Sequence, residues 1–292
     1  MAHRDPGHLK RLIYALDAPG FDIYVHVDKR MNVKTFGFEE YELKYGKLVP
    51  LKDRVKVYWG DYSVVSATLR LFRAALQYGE YKHFVILSGL DYPIAANGEI
   101  RDYLEKNEET ELFNAHPETN LHKFQNKYFL NHRYFSIILQ ILRKRIPFPI
   151  LQAGEPPRGE DGRPMVIYFA PEWNALTDTG VKYILDTIQK HPEIPAFFKH
   201  TYAPDELMIP SILMNSPLKD RVFCGDFDAS AHYNEKALLH YLDYGEQIAV
   251  FTEKDYDKII ASGKLFLRKA VTGTSDGLMD LLDKRRESRD NT

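Results

Sequence analysis

The feature that most restricts the fold of this chain is a short run, Phe84-Val85-Ile86-Leu87, which follows His83, is apolar without interruption and is closed by Ser88-Gly89. A strand with one wet face alternates apolar with polar residues. A strand apolar at each position must be covered on both faces, as the central strands of α/β sheets are. The flanking segments fit that arrangement. Phe21, Ile23, Val25 and Val27 alternate with polar neighbours and predict a strand over 21–28. Arg54 to Trp59 reads as a second strand, and Val64, Leu69, Leu71, Phe72 and Leu76 place a helix over Ser63 to Tyr78 behind a Ser63 N-cap. Nearer the start, Leu9, Leu12, Ile13 and Leu16 have the i, i+3, i+4, i+7 spacing of an amphipathic helix. Strand and helix therefore alternate, which predicts an α/β fold with a mostly parallel central sheet and ligands at the carboxyl ends of its strands. Such a domain ordinarily opens with a buried strand. None precedes the first helix in this sequence, so the first strand is expected to be missing or truncated.

Further along, the apolar and basic stretch from Phe129 to Arg145 reads as a helix or two, stopped by Pro147 and Pro149. Gly154 to Pro164 reads as a loop and Met165 to Phe169 as a strand. Val181, Ile184, Leu185 and Ile188 space a helix over Asp178 to Lys190. The C-terminal third alternates again and is expected to end in a charged, frayed tail from Lys284 to Thr292. With 292 residues, 44% of them hydrophobic, the chain can bury one large core. It is read as one domain, with a first half over 1–100, a second half over 101–282, and a charged tail over 283–292.

The charges nearly cancel, 39 basic against 41 acidic, which excludes a nucleic-acid-wrapping surface and a polybasic membrane anchor. Cys224 is the single cysteine, so no internal disulfide can form. No apolar run approaches the roughly eighteen residues that span a bilayer, and the start lacks the pattern of a signal peptide. The expected location is a reducing cytoplasm, with peripheral contact at the inner membrane face if the acceptor lies there.

Several segments carry chemistry. His26-Val27-Asp28-Lys29-Arg30 ends a strand, where a nucleotide is read or where an aspartate simply caps the next turn. Ser88-Gly89-Leu90-Asp91-Tyr92-Pro93-Ile94 closes the central strand and would serve as a tight turn as well as a pocket wall. Pro204-Asp205-Glu206 puts two carboxylates at a helix start, a place that acids favour for the dipole alone. Leu265-Phe266-Leu267-Arg268-Lys269 ends in two cations, which by spacing alone would face water. Trp173 reads first as core, and Glu111, within Glu109-Thr110-Glu111, as a solvated charge. One Asp-x-Asp tripeptide, Asp226-Phe227-Asp228, lies far downstream of the strand that would carry a metal pair, and so no metal site is expected.

Together with Trp59-Gly60 and Ser63, and with Tyr202-Ala203 before the Pro204 turn and Asn215-Ser216-Pro217 after it, these segments resemble glycosyltransferase family 14 in order from about His3 to about Leu282. That family includes core-branching β-1,6-N-acetylglucosaminyltransferases and protein xylosyltransferases. The resemblance implies a GT-A-like fold and an inverting, metal-independent transfer of N-acetylglucosamine or xylose from a UDP-sugar to a glycan, lipid-linked glycan or peptide acceptor, without a cofactor. By the same resemblance Glu206 is the base, Arg268 and Lys269 take the diphosphate, and His3, Asp28 and Arg30 lie at the nucleotide. Asp91, Tyr92, Trp173, Glu111 and Asp205 are assigned to the donor or acceptor sugar. Ala270 and Thr272 depart from the aromatic and acidic residues that follow the family's cation pair, and Ala170-Pro171 replaces its small pair before the tryptophan. A binding protein that has lost turnover is the alternative of another class. A glycoside hydrolase is disfavoured, because Asp205 and Glu206 are neighbours and cannot straddle one glycosidic bond.

Overall fold

The structure is a computed structural model that describes residues 1–118, 155–159, 162–223, 234, 237–245 and 247–290. The segment expected to be helical over 129–145, Cys224 and the Asp226-Phe227-Asp228 tripeptide lie outside the described residues.

The elements alternate as the sequence implies. Helix α1 (Pro6–Ala15) starts at Asp5, whose carboxylate accepts the His8 amide at 3.0 Å, with proline at the first helical position, and it buries Leu9, Leu12 and Ile13. Strand β1 (Ile23–Val25) pairs in parallel with β2 (Leu48–Pro50). The strand expected over Arg54 to Trp59 is thus displaced to β2. The reason is chemical: the Val55 amide donates to His26 Nε2, the Val57 amide donates to Asp28, and the Val57 carbonyl accepts from Arg30, so side chains take the backbone groups that a ladder would use. Helix α2 (Ser63–Tyr78) has the expected bounds, but Ser63 does not cap it. The Asp61 carboxylate accepts the Ser63 amide, and the Ser63 hydroxyl accepts from the Tyr58 amide.

Strand β3 (His83–Val85) is followed by β4 (Asp91–Pro93), helix α3 (Asn97–Lys106) and β5 (His116–Pro117). Then come β6 (Tyr168–Phe169), β7 (Ala175–Thr177), α4 (Asp178–Lys190), α5 (Glu193–Phe198), a 3₁₀ turn over Pro204–Glu206 and α6 (Met208–Met214). The chain ends with β8 (His240–Leu242), α7 (Tyr256–Ala261), β9 (Phe266–Arg268) and α8 (Asp276–Asp290). Among the described residues the pairings are mixed rather than mostly parallel: β1–β2 and β8–β9 are parallel, whereas β3–β7, β4–β9 and β5–β6 are antiparallel. They form small ladders, and β9 is the middle strand of the β4–β9–β8 sheet.

Two apolar layers cover these ladders. One joins α2, β3, α4 and α6 through Phe72, Phe84, Leu176, Ile184, Met208 and Ile212; the other joins α1, β1, β9 and α8 through Leu12, Val25, Phe266, Leu267 and Leu282. The charged end of the chain is not a frayed tail through residue 290. Arg286 is 5% exposed and donates to the carbonyls of Ala15 and Ala95, tying α8 to the end of α1 and the start of α3. Among the described residues no helix is long and apolar enough to cross a membrane.

Candidate active site

The site is organised around Asp91, a fully buried carboxylate at the start of β4. Its position follows from register, since Asp91 pairs with Arg268 across β4–β9. Arg268 Nη1 donates to Oδ1 at 3.0 Å, the Ser88 amide donates to Oδ2 at 2.6 Å, and His240 Nε2 lies 3.2 Å from Oδ2. Burial alone would raise this carboxyl, but His240, Arg268 and the Ser88 amide hold it below its ordinary value. Asp91 is therefore a positioning anion beneath Arg268, and its burial withholds it from a sugar.

Above this anion the Arg268 guanidinium lies over the Trp173 ring, 5.1 Å from its centroid, while Trp173 packs on His240 at 5.7 Å. Arg268 is thus fixed from two sides. Its Nε is buried without a hydrogen-bond partner among the described residues. Burial and the charges of Arg4 and Arg268 pull the Lys269 ammonium below its ordinary value. Burial, Arg4 and Arg268 likewise lower the His3 imidazole against the pull of Asp28. Arg4, Lys269, Arg268 and His3 therefore share one electrostatic neighbourhood, and among the described residues neither Arg4 nor Lys269 forms an ion pair. A concentration of positive charge of this kind is stabilised by an anion.

Carboxylates crowd nearby: Glu172 lies in the field of Arg268, and Asp205 in that of Glu172 and Glu206. The Ala170 amide donates to the Glu206 carbonyl at 2.9 Å, which holds the segment carrying Glu172 and Trp173 against the Pro204–Glu206 turn. Burial pushes the Glu172 carboxyl up and Asp91 adds to the rise, while Arg268 and the Met1 ammonium oppose it. Burial, with Glu172 and Glu206 beside it, pushes Asp205 well above its ordinary value, and Asp205 Oδ1 is buried without a hydrogen-bond partner among the described residues. Carboxyl groups that crowd in this way resist ionisation, and each raises its neighbour further. The turn is anchored by Gly60, whose φ of 71° and whose approach to the Tyr202 ring leave no room for a side chain: a Cβ there would sit 2.7 Å from the ring. The Ala203 amide donates to the Gly60 carbonyl at 3.0 Å, and Trp59, 73% exposed, meets Tyr202 edge-on at 5.5 Å.

Other residues assigned from the sequence sit elsewhere or are engaged. The Asp28 carboxylate is 2% exposed and receives the Arg30 amide, the Arg30 guanidinium at 2.6 Å and the Val57 amide, so it caps the turn after β1. Arg30 stacks on Tyr58 at 4.6 Å and is half-exposed. Tyr92 points away from Asp91, as strand alternation requires, and its hydroxyl bonds Asp283 at 2.9 Å and Arg11 at 3.1 Å, which locks α1 to α8. Glu111 is fully buried rather than solvated. It accepts the amide and hydroxyl of Thr177, the cap of α4, and burial raises its carboxyl. Two site residues were not picked out from the sequence. His240 is a polar residue in an otherwise apolar Leu238-Leu239-His240-Tyr241-Leu242 strand, a visible signal; Glu172 is marked only by standing next to Trp173.

Among the described residues no group of three or more His, Cys, Asp or Glu side chains is placed to hold a metal ion.

Comparison with known proteins matches residues 1–235 to the family model for the core-2/I-branching enzyme. Xylosyltransferase 2 of Rattus norvegicus is 25% identical over 290 residues, covering 94% of this chain and 32% of the relative. Xylosyltransferase 2 of Canis lupus familiaris is 28% identical over 214 residues, covering 72% and 23%, and xylosyltransferase 1 of the same species is 26% identical over 215 residues, covering 72% and 21%. The chain thus spans about a third or less of the length of these curated relatives. With the family model covering most of its length, the chain belongs to the core-2/I-branching enzyme family of glycosyltransferases.

Proposed function

We propose that this protein is an inverting, metal-independent glycosyltransferase of GT-A-like fold that moves N-acetylglucosamine or xylose from UDP to a hydroxyl of a glycan, lipid-linked glycan or peptide. In this reading residues 1–100 bind the nucleotide and 101–282 bind the acceptor and carry the base. The acceptor oxygen attacks the anomeric carbon as the bond from that carbon to the diphosphate oxygen breaks. The hydroxyl proton passes to Glu206, and UDP leaves with the bonding electrons. Negative charge builds on the departing diphosphate, where Arg268 and Lys269 meet it. The likeness to xylosyltransferases favours xylose as the first sugar to test.

The observation that carries this reading is the crowd of Arg4, Arg268 and Lys269, in which Arg268 is held by Asp91 and Trp173 and the other two lack a counter-ion among the described residues, with Glu172 in the field of Arg268 and Asp205 beside Glu172 and Glu206. Incubation with a panel of UDP-sugars and simple acceptors, with released UDP measured in the presence of EDTA, tests it. Release with at least one donor is the expected result. Tight UDP binding without release from any donor favours the binding protein that has lost turnover.

A further inference from the structure

The residues around Arg4 are held from both sides. The Ala2 amide donates to the His26 carbonyl at 2.9 Å, and its carbonyl accepts the Asp28 amide at 2.8 Å. The Gly89 amide, past the end of β3, donates to the Met1 carbonyl at 2.6 Å. His3 and Arg4 therefore emerge beside the carboxyl ends of β1 and β3, where the ligands of α/β sheets sit. The Arg4 side chain is exposed there.

On the other side Asp5 ties the segment to the loop that follows Lys269. Asp5 has φ 54° and ψ 67°, a left-handed backbone that aspartate adopts more readily than most side chains. From that position its carboxylate reaches two elements. Oδ1 accepts the His8 amide of α1 at 3.0 Å and the Thr272 hydroxyl at 2.8 Å, and Oδ2 accepts the Thr272 amide at 3.0 Å. Burial would raise this carboxyl, but the bonds from His8 and Thr272 hold it below its ordinary value. A carboxylate at position 272 would repel Asp5, whereas threonine supplies two donors. The clasp sets Arg4 beside the Lys269 loop.

Three carboxylates of this neighbourhood are already engaged: Asp5 as just described, Asp28 with Arg30 and the Val57 amide, and Asp91 with Arg268, His240 and the Ser88 amide. Arg4 and Lys269 form no ion pair among the described residues. They nevertheless act on each other. After burial, the Arg4 charge lowers the Lys269 ammonium more than does that of Arg268, its neighbour in the chain. Two unpaired cations held in one field are stabilised by an anion that bridges them.

Resting on the reading that this site releases UDP, we infer that Arg4 is a third cation for the diphosphate, its planar fork meeting phosphate oxygens alongside Lys269, and that the Asp5–Thr272 clasp positions it.

Calorimetric titration of UDP in EDTA, with thermal melts alongside, compares the unaltered protein with Arg4→Gln, Arg4→Lys, Thr272→Val, and Arg4→Gln combined with Thr272→Val. Arg4→Gln is expected to weaken UDP about tenfold, the worth of one charge-assisted contact, with Tm unchanged within about 1 °C, and Arg4→Lys to recover most of the loss. Thr272→Val removes one of the two bonds to Asp5. It is expected to weaken UDP about threefold by itself and not at all once Arg4 is Gln, a dependence that a merely structural role would not produce. UDP affinity indifferent to Arg4→Gln overturns the inference while the proposed function stands. Equal costs of Thr272→Val in both backgrounds overturn the role of the clasp. If the unaltered protein does not bind UDP, the proposed function and this assignment fall together.

Discussion

Asp91 and Arg268 stand opposite one another in the β4–β9 register, and their side chains close a 3.0 Å ion pair in which the carboxylate is fully buried and the guanidinium is 17% exposed. A backbone pairing thereby becomes a fixed orientation for the cation. Asp91→Asn keeps the volume but leaves Arg268 and His240 facing a neutral amide. It is expected to cost about 3 kcal/mol, since one partner of a buried pair is removed, and urea unfolding measures that.

Glu206 closes the Pro204–Glu206 turn, and its charge acts on Asp205. Glu206→Gln is expected to lower kcat by about 10²–10⁴-fold, the usual worth of a positioned base, and to leave the Kd of UDP within about twofold. Initial-rate kinetics and calorimetric titration measure the two effects separately. Unchanged turnover assigns the proton to another group.

His26 accepts the Val55 amide on Nε2 at 2.9 Å, and burial pulls its imidazole down to about 4. Between pH 6.5 and 4 the unfolded imidazole binds a proton that the folded one refuses. Stability is therefore fully present above pH 6.5 and is lost as the pH falls toward 4. Urea midpoints across that window are expected to fall with pH, and less steeply in His26→Gln, whose amide oxygen can accept the same bond. Identical slopes contradict the assignment.

The Tyr92 hydroxyl bridges Asp283 and Arg11 rather than lining a sugar pocket. Tyr92→Phe is expected to cost about 1 kcal/mol of stability because it removes a hydrogen bond to the partly exposed Asp283 and Arg11, with the donor KM unchanged. A raised KM without loss of stability would return Tyr92 to the pocket.

The extents of helices α2 and α4 were legible because their signal is local, apolar side chains recurring on one face, whereas their caps were not: Tyr62 rather than Ser63 precedes α2, and Thr177 caps α4. The cation pair, the tryptophan and the acidic turn could likewise be found in the sequence, but their burial and partners could not. What escaped depends on bonds between side chains and distant backbone. Arg54 to Trp59 has the composition of a strand, yet its peptide groups are spoken for by His26, Asp28 and Arg30. Glu111 and Arg286 look solvated among neighbouring charges, and each is buried because it satisfies a helix end: the start of α4 for Glu111, and the carbonyl end of α1 for Arg286.

The claim on which the rest depends is that Arg268 and Lys269, as fixed side-chain cations, bind the diphosphate without a metal ion. Calorimetric titration of UDP in EDTA, into the unaltered protein and into one carrying Arg268→Ala with Lys269→Ala, tests it most directly. The expected result is a Kd that EDTA leaves within about twofold and that the paired substitution weakens by about a hundredfold, roughly two charge-assisted contacts. Binding that vanishes in EDTA, or that survives the loss of both cations, would contradict it.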